Sequence, residues 1–152
     1  TPLALSLAVG AIWLPVAVLS PVWATILIWA MLVPALIALF RAPAGDAWAA
    51  AWPVGLYAGW LSAASCVAIG LLLGGYGFLS EDLAALLMIA IAAALAYGVQ
   101  TRVPHVPTYG IAAIWALVGI VVQNGLVSMA GLFALCAAFI LLLPTTKGAR
   151  GL

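Results

Sequence analysis

The sequence predicts an all-α fold, a polytopic transmembrane bundle of about six spans in one domain, residues 1–152. Three observations lead there. Of 152 residues, 69% are hydrophobic and only 5% are charged, whereas soluble domains carry about 25% charge. Such a chain has no means of covering a water-facing surface. Its apolar runs approach the roughly 20 residues that a span needs, and short breaks of proline, glycine and polar residues separate them. No Asp, Glu, Lys, Arg or His falls inside any run.

The first span covers 3–19 and is interrupted by Pro15. Ser20-Pro21 breaks it, because proline disfavours helix at the residue before it. The second covers 22–40, with Pro34 as an expected kink, and Arg41 ends it. The third, 47–73, organises the rest. Asp46 is a suitable N-cap for it. Pro53 marks either a kink or the point where an interfacial segment, Ala47 to Trp52, turns into the membrane. Ala47, Ala51, Gly55, Gly59 and Ala63 recur at every fourth position and so share a face. Gly55, Gly59 and Ala63 are therefore the expected helix-packing residues, since a GxxxG pair lets another helix come close in lipid.

Gly74 to Asp82 reads as a loop whose glycines stop the third helix. Ser80 is an expected N-cap, and Glu81 and Asp82 suit the positive end of the helix dipole. The fourth span covers 83–99. Gln100 to Pro107 reads as a polar turn, with Thr108 capping the fifth span at 108–122. Gln123-Asn124-Gly125 is a tight break. The sixth span covers 126–143, and Pro144 is expected to end it. Thr1 opens directly in an apolar run without a basic leader, which suggests a missing N-terminal segment.

Re-crossing at each break places Arg41, Arg102, Lys147 and Arg150 on one side and Glu81 and Asp82 on the other. Lys and Arg prefer the cytoplasmic side, so the C-terminus is expected in the cytoplasm. Trp48, Trp52, Tyr97 and Tyr109 fall near the basic side, and Trp23 and Tyr76 near the other, as interfacial belts do. A net charge of +1 gives no reason to expect nucleic acid as a partner.

Ionisable groups inside a membrane mark proton relays and coupled transport. Their absence from the spans argues against a pump, a proton-coupled carrier and a membrane protease. The hydroxyls of Ser6, Thr25, Ser62, Ser65 and Ser128 are expected to bond back to their own helices. His105 lies in a turn with no second ligand nearby. It reads as a solvated turn residue, its one ligand role being axial to a tetrapyrrole. Cys66 and Cys136 lie in apolar runs and read as small hydrophobes. No phosphate loop, paired carboxylates or nucleophile elbow is present, so neither an enzyme nor a metal site is expected. The mid-span tryptophans Trp29, Trp60 and Trp115 remain. They suit either the wall of a flat apolar ligand's pocket or ordinary helix packing.

The run Pro53-Val-Gly-Leu-Tyr-Ala-Gly-Trp-Leu-Ser-Ala-Ala64 resembles a signature of the tryptophan-rich sensory proteins, the TspO/MBR-related bacterial membrane family. Ile114-Trp-Ala-Leu-Val-Gly-Ile120 resembles their penultimate span, and Trp13 resembles a tryptophan near the end of their first. The preceding hydrophobic segment of that family has no counterpart here. Cys66 or Val67 stands where many relatives carry Asn. The resemblance implies a five-helix-like bundle in the bacterial inner membrane that binds porphyrins, sterols or similar flat molecules.

The leading expectation is thus a non-enzymatic, sensor- or receptor-like protein that takes a tetrapyrrole or another flat hydrophobic ligand. Tyr57, Trp60 and Trp115 are its expected walls, with Trp29 or Trp13 next. No cofactor is required, and lipid is the standing partner. The alternative is an accessory subunit of a larger membrane complex, respiratory or light-harvesting, or a homo-oligomer. A facilitative transporter is weaker, because polar residues at mid-depth are missing.

Overall fold

The structure, a computed structural model, describes residues 1–43 and 47–150, with side chains described as far as Lys147. Six helices long and apolar enough to cross a membrane follow one another: α1 (Pro2–Leu19), α2 (Pro21–Phe40), α3 (Trp52–Gly75), α4 (Glu81–Arg102), α5 (Pro107–Asn124) and α6 (Met129–Arg150). Among the described residues there is no strand. Helices are the natural outcome in lipid, where every backbone polar group must be paired within its own segment. The described residues form a bundle of six such helices, as the apolar runs predict, and not the five that the resemblance implies.

The packing order is simple. α1 lies on α2 and α2 on α3; α3 also carries α4 and α5, and α6 closes against α4 and α5. The core centres on Leu32, Leu39, Ala58, Tyr109, Ala134 and Leu141. α1 is the outlier, since Ser6 is its only buried residue.

Several boundaries move for physical reasons. α1 runs through Pro15 and α2 through Pro34 without a break. α6 likewise passes Pro144 and continues to Arg150, correcting the expected stop. A proline removes one helical hydrogen bond and clashes with the preceding turn, but packing of α6 against α4 and α5 holds the helix together. The start of α6 also moves, to Met129. Ser128 is its cap and not an in-span hydroxyl: its Oγ accepts the Gly131 N–H at 2.9 Å. Ser20 and Ser80 cap α2 and α4 by accepting the amides of Trp23 at 3.4 Å and Leu83 at 3.3 Å. A π-helical turn, Ala47–Ala51, precedes α3, and Pro53 sits in the first turn of the α-helix proper. The proposed cap at Asp46 lies outside the described residues.

Candidate functional site

The end of the bundle that carries Arg41, Arg102 and Lys147 is held by close approach and by buried hydrogen bonds. A Cβ built on Gly59 would collide with the Tyr109 carbonyl and lie 2.9 Å from the Ala112 Cβ. One built on Gly55 would collide with Val106 and meet the Thr108 hydroxyl at 2.6 Å. The spacing-four face therefore seats α5, and the backbones meet where glycine stands. Thr108 does not cap α5 as expected. It lies inside the helix and donates its hydroxyl to the Trp52 carbonyl of α3 at 2.8 Å. Tyr109 is not a belt residue either. It is 0% exposed and donates to Ser62 Oγ at 2.9 Å, while Ser62 donates to the Ala58 carbonyl at 2.8 Å.

Gln100 joins this network. The sequence places it in a turn, but α4 reaches Arg102 and buries it completely. Its Oε1 accepts the Gly110 amide at 2.7 Å, and its Nε2 donates to the Val103 and Val106 carbonyls at 3.2 and 3.4 Å. The first amides of a helix lack internal partners, and Val106 supplies no side-chain cap to α5. Gln100 caps α5 from a neighbouring helix. A Cβ on Gly110 would collide with Thr145, so α6 approaches at the same level.

Beside the α3–α5 contact runs an apolar groove of about 840 Å³, floored in part by α6. Tyr57, Trp60 and Trp115, the three walls expected from the sequence, all line it. In the isolated chain Trp60 is 54% and Trp115 70% exposed, so the groove opens on the side of the bundle. Tyr57 is anchored from behind. Ser6 has one hydroxyl proton and gives it to the Met31 carbonyl at 2.7 Å. The Tyr57 hydroxyl, 2.9 Å from Ser6 Oγ, must therefore be the donor in that pair.

Trp13 and Trp29 do not line this groove. Trp13 donates to the Ala24 carbonyl at 3.0 Å and so ties α1 to α2. Trp29 packs against the core, and its buried N–H has no partner among the described residues. His105 is half-buried in the turn between α4 and α5, and its Nε2 has no partner among the described residues. No group of three His, Cys, Asp or Glu residues that could hold a metal lies among the described residues.

A family model described as TSPO-like protein matches residues 1–146. The chain belongs to the TSPO-like family. Comparison with the curated proteins and with the solved structures gives no match. The family suggests a membrane sensory or binding protein and is generally non-enzymatic.

This TSPO-like chain also holds a cavity that the aromatic pattern does not announce. About 540 Å³ lies among α3, α4, α5 and α6. Ala63, Cys66, Gly70, Ala92, Ala96 and Ala116 are among its walls, and none of its lining residues is aromatic. The signal for it was a run of small residues on α4, Ala85, Ala92 and Ala96, that lines the same space as Ala63, Cys66 and Gly70 of α3.

Proposed function

We propose that this chain is a non-enzymatic, sensor- or receptor-like membrane protein that binds a flat hydrophobic ligand, a tetrapyrrole for instance, in the groove of Tyr57, Trp60 and Trp115. The single observation in support is that these three rings, drawn from α3 and α5, line one apolar groove. Ring faces suit a flat apolar partner, and a site of this size is ordinary for small molecules, about 300–1,000 Å³. The lateral opening suits a ligand that arrives dissolved in the bilayer. The bacterial inner membrane with a cytoplasmic C-terminus is the placement that the basic end favours.

The test is quenching of tryptophan fluorescence by protoporphyrin in nanodiscs. Saturable quenching is expected, and Trp60→Phe should weaken apparent affinity about tenfold, a loss of ~1.4 kcal/mol within the range of aromatic contacts. Quenching that never saturates above that of empty nanodiscs would sink the reading. The accessory-subunit alternative draws on α1, which buries only Ser6. A larger assembly co-migrating on mild-detergent native gels would favour it, although lipid also covers such a face.

A further inference from the structure

The alanine-walled cavity, partly open to the outside past Val67 and Leu71, has a chemistry unlike the groove, and its shape follows from how the helices are pinned. Gly55 and Gly59 hold α3 against α5 near Tyr109. Farther along, Cys66 and Gly70 of α3, Met88 and Ala92 of α4, and Ala116 and Ile120 of α5 line one open space, and Gly70 lies close against Met88. The wedge is aliphatic along its length. Its polar lining residues, Glu81, Gln123 and Asn124, all sit at the end where α3 hands over to α4 and α5 to α6.

That mouth is rich in acceptors. Glu81 stands in the first turn of α4 beside Asp82. Asn124 spends a proton on the Ile120 carbonyl at 2.9 Å, which leaves its Oδ1 free to accept. All four basic residues of the chain, Arg41, Arg102, Lys147 and Arg150, belong to the opposite end of the bundle. Among the described residues no basic side chain stands at the mouth, and the N-terminal end of α4 is what offsets its charge.

We infer that the cavity is a second binding site, for an amphiphile with a slim aliphatic body and a primary ammonium head. The body lies between α3, α4, α5 and α6, where the absence of rings offers nothing for a flat aromatic ligand to stack on. The ammonium sits at the mouth, giving its protons to Glu81 and to the Asn124 amide oxygen. Charge-assisted hydrogen bonds of this kind are roughly twice as strong as neutral ones. The inference does not depend on the aromatic groove.

Equilibrium binding of radiolabelled dodecylamine to the full chain in phosphatidylcholine nanodiscs tests it, with empty nanodiscs subtracted. One saturable site is expected. Dodecanoate, with the same chain and the opposite charge, should not compete. Glu81→Gln should weaken binding about threefold to fivefold, as expected for an exposed carboxylate, and Ala92→Leu should remove it by filling the cavity. Ala116→Leu on the facing helix serves the same end should Ala92→Leu fail to fold. Trp60→Phe should leave amine binding unchanged, which keeps this site's failure distinct from the groove's. Competition by phosphatidylethanolamine added to the nanodisc would assign the ammonium to a lipid headgroup; lack of competition would assign it to a free amine. Binding that does not saturate, equal competition by dodecanoate, or affinity unchanged in both Glu81→Gln and the cavity-filling variant would overturn the proposal.

Discussion

At the basic end of the bundle α3, α4, α5 and α6 meet through glycines and a run of buried hydrogen bonds; at the acidic end α3 stays packed on α4, with Gly70 against Met88, while an alanine-walled cavity opens among the same four helices. Both ends are apolar and both are built largely of small residues. What differs is that the first end also carries Gln100, Tyr109, Ser62 and Thr108, each with a partner on another helix. Lipid tails are as apolar as leucine, so burial alone does not press helices together in a membrane. Small residues permit contact, and polar anchors select where it happens.

The largest test of that contrast is Gly59→Leu, whose side chain has nowhere to go beside Tyr109 and Ala112. Overpacking of this kind costs about 3 kcal/mol, measurable as loss of unfolding free energy in mixed micelles. Unchanged stability would mean that α3 and α5 do not touch there. Gln100→Ala comes next, at about 2 kcal/mol, because the Gly110 amide and two carbonyls lose a buried partner. Faster hydrogen exchange at Gly110 should accompany it. Tyr109→Phe should cost about 1 kcal/mol, in line with interhelical hydrogen bonds in membranes, and its effect should vanish in a Ser62→Ala background. Gly119→Ala is the near-silent control. A Cβ there meets nothing within 4 Å, so a change between zero and about 1 kcal/mol of stabilisation is expected in the same assay.

The class of the fold was legible in composition, and six spans in the alternation of apolar runs with breaks. The Gly55–Gly59 contact was legible because a spacing of four on a helix leaves few other uses for glycine. Gln100 was not legible. A polar residue just before a proline-bearing turn reads as part of that turn, and only the neighbouring helix shows what it caps. Tyr109 misled for a related reason: tyrosine near a membrane edge suits the interface and the interior equally well. Pro144 misled because a local rule yields to packing along the rest of the helix. The grouping of Tyr57 and Trp60 followed from their spacing, whereas their meeting with Trp115 depended on which helix α5 chose as neighbour. The alanine-walled cavity was hidden most deeply, since alanines that line a void and alanines that close one are the same residues.

The anchoring of Tyr57 limits what can be recognised beside it. Its hydroxyl proton is committed to Ser6, and those of Thr145 and Thr146, which share the groove, are committed to the carbonyls of Leu141 and Leu142. An occupant carrying carboxylates or ketones finds only the indole nitrogens of Trp60 and Trp115 as side-chain donors. The lateral groove thus answers lone pairs with tryptophan alone, whereas the inner mouth presents oxygen to incoming protons.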